Sequence, residues 1–264
     1  MFTDVEFTSR YTKALGELGE QDLTVCFIHE NRKGTKPRAS GIGNCARQQY
    51  YSLIGAPETN LMDEAMNWPQ LMGTAGQSLV SATLRQMGYT VYDEEQEVVV
   101  DDILVGHIDG MISGLDLEDK KAVFDVKLKN IWGLWGTKNS LGIISNDLKE
   151  SNYEIYMQLQ TYVHGKDADL GIIFACPFDM SVNRLEANKR KALVAPVYRI
   201  FSERSQDAAK LAVDRAMMLV AAARAGILPQ TEFDPVTTNF PCNYCAYKAL
   251  CISEGPTTGY VLPR

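Results

Sequence analysis

Hydrophobic and polar positions change their period along this chain, and the changes mark its elements. Residues 1–20 and 70–87 repeat apolar positions every three to four residues, the spacing of an amphipathic helix, and Gly88 closes the second run. Between them, residues 29–40 are polar and broken by Gly34 and Pro37. A further helix is expected over roughly 42–54, followed by Pro57 and an acidic connection over 58–67. The period then drops to two. EQEVVV and ILVGHIDGMI read as strands joined by a turn at Asp101-Asp102, and KKAVFDVKL as a third. Residues 130–150, with Trp132, Trp135 and several glycines, read as a connection. A helix is expected over 150–165, strands in DLGIIFACPF and ALVAPVYRIF, and a long Ala-rich helix over 203–225. Helices interleaved with strands predict an α/β architecture with a central mixed sheet flanked by helices.

Composition sets bounds on this picture. With 264 residues, 45% of them hydrophobic, the chain can fill one large core, and a single domain over 1–264 is expected. Its core would span about 70–201, with a second lobe drawn from 40–56 and 203–255. No apolar run is long enough for a bilayer, and MFTDVEFTSRYTK lacks a signal-peptide core, so a soluble cytoplasmic protein with no membrane partner is expected. The net charge of −7 argues against broad coating of nucleic acid but leaves room for a local basic groove. Basic runs do exist: Arg32, Lys33, Lys36 and Arg38; Lys120 and Lys121; Lys189, Arg190 and Lys191. Most such runs are solvated loops.

The charged positions inside apolar strands carry the chemistry. Asp125 and Lys127 sit two apart in a strand and so share a face, while Phe124 and Val126 take the other. A charged pair in an apolar strand is costly unless exposed or partnered. One reading is an edge-strand ion pair. Asp109, also in an apolar segment, favours a site, although an Asp before Gly110 is a common turn residue as well. His107 shares the Asp109 face and Lys129 the Lys127 face. Two carboxylates and an ammonium at one sheet end suit metal-assisted phosphodiester hydrolysis. Gln158 and Tyr162, four apart, share one face of the helix YEIYMQLQTYVHG.

Six cysteines in a chain without a secretory signal predict metal ligands rather than disulfides. Cys242 and Cys245 have chelating spacing, Cys251 follows six residues on, and Cys45 would return from the far end of the chain. Zinc and an iron–sulfur cluster both accept four thiolates, and spacing does not decide between them. Cys26 and Cys176 stand apart, the latter as a buried thiol at the end of LGIIFAC.

These motifs, in this order, resemble a known family. Gly73-x3-Gln77, GHID with Asp109, DVK with Asp125 and Lys127, and Gln158-x3-Tyr162 look like the RecB-type branch of the PD-(D/E)XK nucleases. CARQQYY around Cys45 and CNYCAYKALC near the end are similar to its iron–sulfur members, among them CRISPR-associated RecB-like exonucleases and the AddB nuclease domain. The resemblance covers about residues 40–251. It implies a PD-(D/E)XK core joined to a helical, cysteine-bearing lobe. Asp109, Asp125 and the Val126 carbonyl would bind Mg²⁺ or Mn²⁺. Lys127 would position the attacking water, and Gln158 and Tyr162 would organise the site. Cys45, Cys242, Cys245 and Cys251 would hold a 4Fe–4S cluster stapling the two ends of the chain. One position departs from the pattern. The family carries histidine as an extra metal ligand where this chain has Gln77, whose amide oxygen is a weaker ligand for a hard cation.

The expected function is therefore a metal-dependent DNA exonuclease acting on single-stranded ends. The alternative is a catalytically weak DNA-binding or partner protein on the same fold, in a recombination or CRISPR-adaptation complex; the Gln77 departure and the acidic charge favour it. Trp132 and Trp135 would stack bases or pack a lid. The chain has no Walker A motif, which suits a standalone nuclease of a phage or mobile element, or a partner subunit. Some relatives form rings, so an oligomer is compatible with the resemblance.

Overall fold

Strand β5 (Ala122–Lys129) organises the molecule because both of its faces are covered. Ala122 and Phe124 belong to one core, with Phe7, Val80, Leu84 and Phe174, and Val123 belongs to the other, with Leu159, Val163 and Ile173. The alternation of a strand thus sends Asp125 and Lys127 to the second face. The neighbouring strand β6 (Leu170–Pro177) is buried at every residue, as a parallel central strand should be. Each large apolar side chain so buried contributes about 1.5–3 kcal/mol.

The computed structural model describes residues 2–19, 35–60, 68–129, 148–177, 197–238, 241–256, 259 and 261–263. Cys26, Trp132, Trp135, Arg32, Lys33 and the 189–191 basic run lie outside the described residues, as does the side chain of Lys129.

The sheet adds β1 (Thr90–Tyr92), β4 (Gly110–Ser113) and β7 (Tyr198–Glu203), in the order β1-β4-β5-β6-β7. Among the described strands of this sheet β5 and β6 pair in parallel and the other neighbours antiparallel, so the sheet is mixed. Helices α1 (Asp4–Glu17) and α3 (Trp68–Met87) cover one face. On the other lies α5 (Tyr153–Gly165), preceded by the single turn α4 (Leu148–Ser151). Behind α5 pack α6 (Gln206–Ala225) and α2 (Ala46–Leu53), and α7 (Lys248–Glu254) closes the cysteine lobe. Ser205 caps α6 through Ala208 N–H, and Gly226 ends it at φ 66°, the left-handed conformation glycine adopts freely. Among the described residues no helix is long and apolar enough to cross a membrane.

The structure departs from the sequence pattern in four places. ILVGHIDGMI is two strands in two sheets. β3 (Leu104–His107) pairs with β2 (Glu97–Val100) in a hairpin, and β4 pairs with β1 and β5. Residues 108–109 carry the chain from one sheet to the other. β1 is too short to show a period, and Asn152 divides the expected 150–165 helix. The expected 42–54 helix starts at Ala46, after a 3-10 turn at Ala39–Gly41.

Buried charge pins α1 to the sheet. Asp116 accepts from Phe2 N–H, the Tyr89 hydroxyl and Arg199, at 3.0 Å for the last. Arg199 also lies 3.9 Å over the Phe7 ring. Burial works against the Asp116 carboxylate, but the Tyr89, Phe2 and Arg199 donors outweigh it and hold its pKa below the ordinary 3.8. A carboxyl depressed in the folded state stabilises the fold above the unfolded-state value, and that stability is lost as pH falls through the folded one. Asp116→Asn should therefore cost about 1–3 kcal/mol at neutral pH. The gap from the wild type should narrow as pH falls below about 4. Urea midpoints measured across pH would show the two proteins converging in acid; a gap independent of pH would reject this role.

Candidate active site

Asp109 sits where the chain leaves the β2–β3 hairpin and enters the main sheet. Gly110 already pairs with Phe124, and a Cβ there would meet the Phe124 ring at 2.6 Å. The glycine after Asp109 thus answers a close approach between strands, not the turn that the Asp-Gly pair suggests. β4 begins at Gly110, so among the described residues no strand flanks the β5 main chain beyond Phe124 on that side. Asp109 fills the gap: its Oδ2 accepts Val126 N–H at 2.6 Å. The carboxylate is thereby held against the residue next to Asp125.

Asp125 and Lys127 meet on the α5 face of β5, Oδ2 to Nζ at 2.7 Å. Asp125 is only 2% exposed. Gln158 on α5 binds both partners. Its Nε2 donates to Asp125 Oδ1 at 3.2 Å, and its Oε1 accepts from Lys127 Nζ at 3.2 Å. The same Nε2 donates to the Tyr162 hydroxyl at 3.2 Å. Both protons of this amide are therefore used and its orientation is fixed. Tyr162 is buried against Gly106 of β3, where a Cβ would lie 2.4 Å from the ring.

The electrostatics are unbalanced. Burial, and then the charge of Asp125, push Asp109 well above the usual carboxylate range. Burial opposes the Lys127 ammonium, but Asp125 and Asp109 together outweigh it and hold Lys127 above the ordinary lysine value. Tyr162 is raised by burial first and Asp125 second. Asp125 Oδ2, buried and in ion-pair contact with Lys127, accepts no well-directed hydrogen bond. Two carboxylates face one ammonium.

Gln77, on α3, donates from Nε2 to the Asp109 main-chain carbonyl at 3.2 Å. It steadies the aspartate through its backbone. His107 ends β3 within the hairpin, its Nε2 3.9 Å from its register partner Glu97. Lys120 and Lys121 are exposed.

The cysteines form a second centre. Cys45 precedes α2, Cys242 and Cys245 bracket a 3-10 turn, and Cys251 lies on α7. All four line one cavity of about 30 Å³, together with Arg47 and Tyr51. All four are free thiols. Burial first, and then neighbouring cysteines, raise the thiols of Cys242 and Cys245; burial raises Cys45. Among the described residues no three His, Cys, Asp or Glu side chains are drawn to metal-bonding positions. Cys176 is apart in the α1 core, where burial pushes its thiol up to about 12.

Two buried arginines flank this lobe, and the sequence reading passed over both. Arg47 shares a helical face with Tyr50 and Tyr51, and Arg215 lies on the Ala212, Ala216, Leu219 stripe of α6. An arginine in register with an apolar stripe was the available signal.

No family model matches the chain, and no curated protein does. Solved structures that resemble it include the following. The crystal structure of SSO0001 is 14% identical at a TM-score of 0.44, over 95% of this chain and 96% of that one. The exonuclease LHK-Exo in complex with dAMP, of an alkaline exonuclease from Laribacter hongkongensis, is 15% identical at 0.47, over 73% and 90%. A phage-related exonuclease from Haemophilus somnus 129PT is 14% identical at 0.45, over 83% and 96%. Likeness at this level establishes no family and carries no residue assignment.

Proposed function

We propose that the chain is a divalent-cation-dependent DNA nuclease, an exonuclease on single-stranded ends, whose four clustered cysteines hold a 4Fe–4S cluster. One observation supports the reading above the others. Asp109, Asp125, Lys127 and Gln158 converge at one end of β5, with two carboxylates to one ammonium. That donor set fits a hard cation such as Mg²⁺ or Mn²⁺. Asp109 and Asp125 would hold it, and strand geometry turns the Val126 carbonyl the same way as its N–H, toward Asp109. When bound, the cation polarises the scissile phosphate and lowers the pKa of an attacking water.

The protein's own residues do the rest. Lys127 is fixed between Asp125 and Gln158, so its ammonium can orient a water and offset charge developing on the phosphate. Gln158 holds that geometry, and Tyr162 buttresses Gln158. The preference for single-stranded DNA ends rests on the family resemblance alone. The cysteine donor set suits a thiolate-ligated metal group, and the four residues would staple α2 to the 242–251 segment.

A second reading is favoured by Gln77. Its amide N–H is engaged by the Asp109 carbonyl, where the family would supply a histidine ligand. A site with fewer ligands suits a weakly active or partner protein that binds DNA.

Anaerobically purified protein, incubated with 5′- and 3′-labelled single and double strands plus Mg²⁺ or Mn²⁺, separates the readings. Shortening from single-stranded ends that EDTA abolishes is the expected result. Binding without cleavage in either metal would replace the nuclease reading with the partner one.

A further inference from the structure

Arg47 is completely buried, with its guanidinium at the wall of the cysteine cavity. A buried cation is costly unless its donors are used and negative charge lies near. Its Nε donates to the Pro229 carbonyl at 3.0 Å. Its Nη1 is shared among the Gly255 carbonyl at 2.8 Å, the Cys251 carbonyl at 3.4 Å and the Cys251 sulfur at 3.6 Å. One side chain, two residues after Cys45, thus grips the segments before and after the last cysteine and reaches that cysteine's sulfur.

We propose that Arg47 is the charge-compensating and positioning residue of the four-thiolate centre, donating to the Cys251 sulfur and placing a fixed positive charge against the group. The inference rests on the iron–sulfur reading above. A four-thiolate cluster is anionic, and its reduced form carries one more negative charge than its oxidised form. A guanidinium hydrogen-bonded to a ligating sulfur therefore favours the reduced form. Lysine at this position retains the charge without the planar fork; glutamine retains hydrogen bonding without the charge.

The test compares anaerobically purified wild type, Arg47→Lys and Arg47→Gln by iron content, visible absorbance, mediated dithionite titration and urea midpoint. The expected result is a lower reduced-to-oxidised ratio at fixed potential in Arg47→Gln, by about tenfold, which is about 59 mV for a one-electron couple. Arg47→Lys should lie between it and the wild type. A purely structural role would lower the urea midpoint of both variants and leave the potential of any loaded cluster unchanged, and that result overturns the inference. Should Arg47→Gln not fold, Arg47→Lys decides alone: an unshifted potential overturns the inference, and a shift to lower potential supports it. A wild type that takes up no iron overturns the cluster reading itself, which separates that failure from this one.

Discussion

Asp125→Asn is expected to slow phosphodiester cleavage by about a hundredfold to a thousandfold while leaving the fold intact. The substitution keeps the shape of the side chain and an oxygen for Gln158 Nε2, now 3.2 Å from Oδ1. It removes the buried charge that a cation would need, and cation stabilisation of such a transition state is worth several kcal/mol, each 1.36 kcal/mol being tenfold in rate. In metal-free protein two effects oppose each other. Lys127 loses its ion pair, and Asp109 loses the neighbouring charge that pushes its pKa upward. The melting temperature without metal should accordingly change little. The wild type should gain stability when Mg²⁺ or Mn²⁺ is added, since a ligand that binds only the folded state stabilises it, and the variant should not. Thermal melts with and without metal, run beside a cleavage assay, check both parts. Wild-type cleavage, or an undiminished metal-dependent gain in the variant, would remove Asp125 from the site.

The second large effect is on stability. Arg215 is completely buried and binds the Ile42 carbonyl at 2.9 Å, the Asn44 carbonyl at 3.1 Å, the Pro263 carbonyl and Glu232 at 3.4 Å. Arg215→Ala leaves a cavity, three main-chain oxygens without this donor, and a largely buried Glu232 without its cation. Breaking a buried pair in this way costs about 3–5 kcal/mol, a large share of the 5–15 kcal/mol, roughly, that a domain has. Glu232 also accepts Ala46 N–H at 3.2 Å, so the loss should spread to the start of α2 and to Cys45 beside it. Arg215→Lys should recover little, because an ammonium cannot serve four acceptors with a planar fork. The drop in urea midpoint reports the effect; a variant within about 1 kcal/mol of the wild type would refute the clamp.

How far the sequence could be read follows from what each residue contacts. The strand period of AVFDVKLK placed Asp125 and Lys127 on one face because both faces of β5 are buried and neither can slip by one residue. The helical period likewise put Gln158 and Tyr162 together. Asp109 was legible as an acid near this strand but not as the residue between two sheets. ILVGHIDGMI alternates without a break, and the transfer at residues 108–109 is set by pairing to Gln96 and Phe124, distant partners that no local pattern encodes. Gln77 reads from its motif position as a metal ligand through its amide oxygen; that its amide N–H serves a main-chain oxygen is a contact visible only after α3 docks. Arg47 and Arg215 escaped notice because their partners are mostly carbonyls, which leave no mark in a sequence.

The lobe that carries Cys45 also has a history in time. The groups that satisfy Arg47 and Tyr51 lie between 182 and 208 residues further along the chain. During synthesis the β-sheet can assemble first, while α2 waits for residues that the ribosome has not yet made. Closure of this lobe then follows assembly of the sheet, and a polypeptide cut short before residue 229 would carry the β5 acids without the partners of Arg47 and Tyr51.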